Sequence, residues 1–485
     1  MNSVGEVIES KQSRCVGKFS GPLIPSVGDW VDVNGIHGIV ERYYYSSTNE
    51  LLGDICYVRQ ELSWKAPLPP GSIISSCNLK KEIFNEGKIF GGLISSSKDP
   101  LPFELDLKYL LGPEGAHINV SGISGLATKT SYLMTVLWAV MKKAKTTKLP
   151  VTAFVINMKW RDLMSIHEPS IIGAWEKDHF SDLGLDSTPF ENVKYFASHG
   201  SPYHDRFDVT SFGYTIENGF ESLKNLVWDL DDKFKTIQAL VDSLKQGKER
   251  EPEEFGYYHS WKSLWTEPPL VTDGYKPNSW SHYALSTTRR FVRHVQNVLD
   301  HQNSGLFVHQ KNENLITIKD IVDNAKAGET NVIDFCHMNT TEQFFCMNEL
   351  IQNIYKDIQS PNRILPKHVV IFVDELNRYA PRTADAHPIR NILLEIAERG
   401  RSQGISLFSA QQFASHVHSR IVGNATTKVV GRLSSDELSK PEYRFLGKNH
   451  KDWLAGMPKG HLIIDHAPFG QPVKISFPRP VFRIG

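Results

Sequence analysis

The chain has 485 residues, 40% of them hydrophobic, enough apolar material to bury a large core and to hold about two to four structural units. Lysine and arginine total 54, as do aspartate and glutamate, so no basic excess draws the protein to a nucleic-acid backbone, and any DNA contact must come from local cationic patches. No stretch reaches the roughly 20 apolar residues of a membrane helix, and the first residues lack a positive end followed by an apolar run, so the expectation is a soluble, cytoplasmic protein with no membrane contact.

Residues 1–85 read as short β-branched and aromatic runs between turn residues: Gly28–Val33, Gly38–Tyr45, Asp54–Val58 and Ser72–Ser75. That is the pattern of a small β-barrel. Tyr43, Tyr44 and Tyr45 could stack on bases, but alternating barrel and surface positions explain them more simply. The cysteines, at 15, 56, 77, 336 and 346, show neither paired metal spacing nor a disulfide framework and read as reduced thiols.

The apolar run His117–Val120 leads through Ser121–Ser131 into the helix-like stretch Tyr132–Met141, which reads as a phosphate-binding loop. Gly122 and Gly125 let the backbone turn its N–H groups inward, and the following helix points its positive end at a nucleotide's phosphates. The residues expected to bind are Gly122, Ser124, Gly125, Leu126, Ala127, Thr128, Lys129, Thr130 and Ser131. Lys129 would reach the β and γ phosphates and Thr130 would hold Mg²⁺, so ATP and Mg²⁺ are the cofactors. The loop departs from the usual pattern: Gly122 stands seven residues before Lys129 instead of six, and Thr128 replaces the glycine that normally precedes the lysine.

From 166 to 325 the strand-and-helix pattern is interrupted by a long insertion, helical in part, where Leu223, Leu226, Val227, Leu230, Phe234, Ile237, Val241 and Leu244 form one apolar stripe. Lys245–Glu254 is a charged loop, and Arg289, Arg290 and Arg293 suit either a solvated face or a DNA channel. His368–Val373 is a continuous apolar run ending in Asp374 and Glu375, the pattern of a parallel strand buried on both faces whose carboxyl end faces a ligand. Asp374 would face Mg²⁺, through water, and Glu375 would polarise the water that attacks the γ phosphate.

In the helix Ile389–Arg401, Arg399 and Arg401 sit at the carboxyl end, where the helix dipole favours cations; in a ring they could instead reach a neighbouring subunit's γ phosphate. The strand Gly404–Ala410 ends at Gln411 and Gln412, a sensor position. Gly460–Asp465 is a strand, and Pro472–Pro480 an extended tail that reads as an edge strand.

This order of loop, acidic strand, Glu398–Arg401 helix end and strand closing in Ser409, Ala410, Gln411 and Gln412 resembles the HerA branch of the HerA/FtsK ATPases. Val151–Leu163, Asn331–Phe335 and Asn424–Leu433 are similar to that family's second core strand, a further strand and the segment after the sensor strand. The resemblance implies an α/β fold: a RecA-like P-loop ATPase core with an N-terminal small β-barrel, similar to the family's HAS-barrel, and a largely helical insertion. The units are then 1–85 barrel, 86–165 first part of the core, 166–325 insertion, 326–465 second part of the core, and 466–485 tail. It further implies a homo-hexameric ring that hydrolyses ATP and moves double-stranded DNA through its pore. The lengthened loop resembles HerA-like proteins of bacterial anti-phage defence, which work with a nuclease or Sir2-like effector. In the family such tails lie across the adjacent subunit, bringing Arg479 or Arg483 toward its nucleotide.

Overall fold

The computed structural model describes residues 3–11, 14–20, 24–25, 30–34, 36–57, 68–76, 87–94, 101–123, 125, 129–173, 176–177, 180, 187–215, 302–308, 315–383 and 388–485. The apolar stripe 223–244, the charged segment 245–254, Arg289, Arg290, Arg293, Cys77 and the loop residues Ser124, Leu126, Ala127 and Thr128 lie outside them.

Six strands close into a barrel: β1 (Ser3–Ser10), β2 (Arg14–Phe19), β3 (Trp30–Val33), β4 (Ile36–Tyr45), β5 (Leu51–Tyr57) and β6 (Ile73–Ser76), in the order β1-β2-β5-β4-β3-β6. So few strands leave room inside only for side chains, and Val7, Phe19, Val31, Val40, Ile55 and Ile74 fill it. Tyr43 packs edge-on to Phe19, 5.1 Å between ring centroids, while Tyr45 faces solvent.

A twelve-stranded mixed sheet forms the rest of the framework. Its strands are β7 (Lys88–Ile94), β8 (Leu101–Asp106), β9 (Ile118–Ser121), β10 (Val151–Asn157), β11 (Val193–Ser198), β12 (Thr210–Phe212), β15 (Thr330–Asp334), β16 (His368–Val373), β17 (Ile405–Gln411), β18 (Thr427–Val430), β19 (His461–His466) and β20 (Val473–Ser476). β13 (Tyr214–Thr215) and β14 (Phe307–Val308) pair separately. The sheet order is β12-β11-β15-β10-β16-β17-β9-β18-β19-β20-β7-β8, parallel from β12 to β18 and antiparallel beyond. β17 therefore separates the loop-bearing strand β9 from the acidic strand β16, the order of a RecA-like P-loop core. The fold is α/β.

The continuous apolar runs follow from burial on both faces. In β16, Val369, Ile371 and Val373 join one core while Val370 and Phe372 join the other. The first core is covered by α3 (Thr340–Gln359) and α4 (Pro388–Gln403), with the shorter α2 (Ile318–Asp323) beside α3; the second is covered by α1 (Lys129–Thr147). α3 begins with a capping box in which the Asn339 and Glu342 side chains each accept the other's backbone N–H. Among the described residues, no helix is long and apolar enough to cross a membrane.

Two segments differ from the sequence reading. Within the span 166–325 read as an insertion, β11 and β12 extend the core sheet itself; such short strands carry no periodicity that marks them. β20 lies between β19 and β7 rather than at an edge, because the β7–β8 hairpin, far earlier in the chain, pairs on its outer side. The last residues then cross their own chain, with Phe482 buried, Ser170 N–H donating to Val481 O at 2.9 Å and Arg483 Nη1 2.8 Å from Glu168 Oε2.

Candidate nucleotide site

The site forms where β9, β10, β16 and β17 end together. Beyond β9 the chain turns at Gly122, whose N–H donates to Gln412 O at 3.0 Å, and Ile123 N–H donates to Arg432 O at 2.9 Å, so neighbouring segments anchor the loop. Gly125 has φ +80°, a left-handed conformation that glycine adopts without strain. α1 starts at Lys129, so its free N–H groups and dipole face the loop.

Lys129 is only 4% exposed, and its Nζ donates to Gly122 O at 2.9 Å. Burial pushes its pKa below the ordinary lysine value, against the pull of Asp374 and Glu375. The next residue, Thr130, donates its hydroxyl to Asp374 Oδ2 at 2.8 Å. The other oxygen, Asp374 Oδ1, accepts the Glu375 N–H at 2.9 Å. Glu375 itself has φ +54° and ψ +48°. For a residue with a side chain that conformation costs ~1–3 kcal/mol, and it turns the second carboxylate out of the strand direction.

A group the sequence reading did not single out completes the cluster. Lys159, just past β10, places Nζ 2.8 Å from Asp374 Oδ2 and 3.3 Å from Glu375 Oε1. Burial pushes Lys159 down, but the two carboxylates outweigh it and leave its pKa above the ordinary value. The signal was available: Lys159 follows the apolar strand Val151–Ile156, and the carboxyl-end rule that selected Asp374 applies equally to it. Asn157 holds its turn, donating from Nδ2 to Trp160 O and to Asp334 Oδ1, both at 2.7 Å. Burial raises Asp334 to about 7, opposed by bonds from Asn157 and the Cys336 N–H.

Gln411 differs from the sensor expectation. Fully buried, it donates to Asn119 Oδ1 at 2.7 Å and accepts from Asn119 Nδ2 at 3.1 Å, so its amide is committed to β9. The next residue, Gln412, is exposed. Arg399 and Arg401 are not brought to the site. They lie at the carboxyl end of α4, near the start of β17, whose seven residues span about 23 Å to the site. Arg399 is exposed with Nη1 3.8 Å from Glu395 Oε1, and Arg401 Nη1 donates to Glu114 O at 3.3 Å. Ser131 lies in the first turn of α1, where its carbonyl accepts the Thr135 hydroxyl at 2.8 Å.

The donor set suits Mg²⁺. Thr130 and Asp374 offer a hydroxyl and a carboxylate, hard oxygen ligands that leave most positions to water and phosphate, as this ion prefers. Among the described residues, no group of three or more His, Cys, Asp or Glu side chains forms a protein-only cage.

No protein-family model matches the chain, and no curated protein matches it in sequence. Solved structures do resemble it. The bacterial conjugative coupling protein TrwB is 11% identical with a TM-score of 0.44, over 81% of this chain and 91% of its own. VirB4 of Thermoanaerobacter pseudethanolicus is 12% identical with a TM-score of 0.45, over 80% and 96%. The genome packaging NTPase B204 of Sulfolobus turreted icosahedral virus 2, solved with ATP-gammaS, is 8% identical with a TM-score of 0.30, over 76% and 100%. At these values the likeness assigns no residue and no activity, and the functional reading rests on the site's own geometry.

Proposed function

We propose that the chain is the subunit of an ATP-hydrolysing, HerA-type hexameric ring motor that acts on double-stranded DNA with a nuclease or Sir2-like effector, in anti-phage defence. The observation that carries the ATPase reading is the 2.8 Å bond between Thr130, at the start of α1, and Asp374, at the end of β16, beside the buried Lys129.

We read Gly122, Ser124, Gly125, Leu126, Ala127, Thr128 and Ser131 as the cradle, whose N–H groups and helix dipole would attract the phosphates. Lys129 would exchange Gly122 O for the β and γ phosphates. Thr130 and, through a water, Asp374 would hold Mg²⁺, which would neutralise phosphate charge. Glu375 accepts the proton of the attacking water as its oxygen bonds to the γ phosphorus and the β–γ bridging oxygen departs with ADP. Gln412 takes the sensor role first read for Gln411, and Arg401, or Arg399, acts on the neighbouring subunit.

Lys129→Ala is expected to abolish binding of a fluorescent ATP analogue. Glu375→Gln is expected to bind ATP yet hydrolyse it ~10²–10⁴-fold more slowly. Unchanged phosphate release in Glu375→Gln removes that residue as the base. A second reading, a nucleotide-loaded oligomeric scaffold that activates an effector with little translocation, is favoured by the zero net charge and by the ion pairs that tie up both acids. Linear duplex separates the two: a motor responds with a salt-sensitive rise in ATPase, because phosphate contacts release counterions, and a scaffold does not.

A further inference from the structure

Asp374 Oδ2 is shared. It accepts the Thr130 hydroxyl at 2.8 Å and the Lys159 ammonium at 2.8 Å, so a cation of the chain itself occupies the carboxylate expected to face Mg²⁺. The same ammonium lies 3.3 Å from Glu375 Oε1, so the expected base is ion-paired as well.

The turn that presents Lys159 is built to hold it there. On the inner side, Asn157 clamps Trp160 O at 2.7 Å. Trp160 itself has φ +36°, strained for a residue with a side chain, and its ring is 57% exposed. On the outer side this ring rests against His337, 5.8 Å between centroids, and under the Arg161 guanidinium at 5.8 Å.

We propose that Lys159 is a positioning residue, a resident counter-ion that holds Asp374 and Glu375 where they stand and must be displaced when Mg²⁺ and a nucleotide enter. Even with a water between the ion and Asp374, a divalent ion and an ammonium crowded at one carboxylate repel each other strongly, so metal entry drives Lys159 off Asp374. Once the ammonium also leaves Glu375, that carboxylate is free to take a proton. The exposed Trp160–Arg161 turn is then the lever through which a contact outside the site favours or opposes release. This inference rests on the ATP-binding reading above.

The test compares the full-length protein with Lys159→Met and Lys159→Gln, both of which remove the charge from a side chain that is 40% exposed. Mn²⁺ binding in the presence of ADP is followed by electron paramagnetic resonance, a readout independent of turnover. The expected result is a roughly five- to tenfold tighter Mn²⁺ affinity in both variants, the partly exposed pair being screened by solvent. ADP affinity in EDTA should stay at the wild-type value. Lys159→Arg, which keeps the charge, should bind Mn²⁺ no more tightly than wild type.

Unchanged Mn²⁺ affinity in both neutral variants overturns the proposal. So does loss of ATP hydrolysis by more than about tenfold at saturating Mg²⁺, which would make Lys159 a phosphate contact. Lys129→Ala is run alongside. If it still binds nucleotide, the ATP-site reading itself fails; if it does not bind and the Lys159 variants leave metal affinity unchanged, only the counter-ion role fails.

Discussion

His466 accepts the Asp106 N–H on Nε2 at 3.0 Å and His117 accepts the Leu407 N–H on Nδ1 at 2.9 Å, so protonating either nitrogen breaks a buried bond. Burial accordingly depresses His117 from 6.5 to about 4 and His466 to about 3. The unfolded chain takes up these protons below pH 6.5 and the folded chain does not, so their contribution to stability is intact above that pH and lost on acidification. Asp334, raised by burial to about 7, works in the opposite sense, favouring the fold as pH drops below 7. Among these three groups the histidines outweigh the carboxylate, and urea denaturation should give a stability lower at pH 5 than at pH 7.5 by on the order of 1 kcal/mol. The loss should shrink in His466→Gln; stability that rises on acidification excludes this account. That Lys129, Thr130, Asp374 and Glu375 come together was legible in the sequence, because a lysine and threonine opening a helix after a glycine turn and two acids closing an apolar strand are placed by the same strand-end rule. Lys159 carried the same strand-end signal, but its ion pairs were not legible, since a lysine after a strand is ordinary until two carboxylates from another strand lie beside it.

At the scale of elements, β16 and β17 were legible because a strand covered on both faces is apolar over most of its length, and β10 entered through the family resemblance. β11, β12 and β20 were not, because their place in the sheet depends on partners distant in sequence. The junction of α4 and β17 matters most to the site, since β17 separates the loop from the acids and ends at Gln411. Gly404 makes this junction with φ +78°, and a Cβ there would collide with Lys367 O. Gly404→Ala is expected to cost at least about 2 kcal/mol in chemical denaturation. Gly423, in the short helix α5 (Ser419–Asn424), has nothing within 4 Å of an added Cβ, and Gly423→Ala should be neutral or stabilising by up to about 1 kcal/mol. Equal losses in the two variants would show that the turn at Gly404 imposes no special conformation.

For the molecule as a whole, the position of Arg401 decides the form of the test. With the length of β17 between it and its own loop, Arg401 has no route to the nucleotide of its own subunit, and any catalytic part must be played on a neighbour. Arg401→Ala should leave ATP affinity nearly intact and lower hydrolysis in assemblies by ~10³-fold or more. Mixing Arg401→Ala with Lys129→Ala subunits should restore part of the activity, since one supplies the loop and the other the arginine. If mixtures stay inactive, the trans-acting group lies elsewhere. Composition and pattern were enough for the α/β class, the barrel ahead of it and the residue types at the ends of the central strands, because burial acts on local patterns. Folding was needed to show that Gln411 is spent on Asn119, that β20 lies inside the sheet, that Arg483 is tied to Glu168 and that Lys159 stands between the acids. Each of these is a contact between segments far apart in the chain, and local pattern carries no record of which distant segment folding will bring alongside.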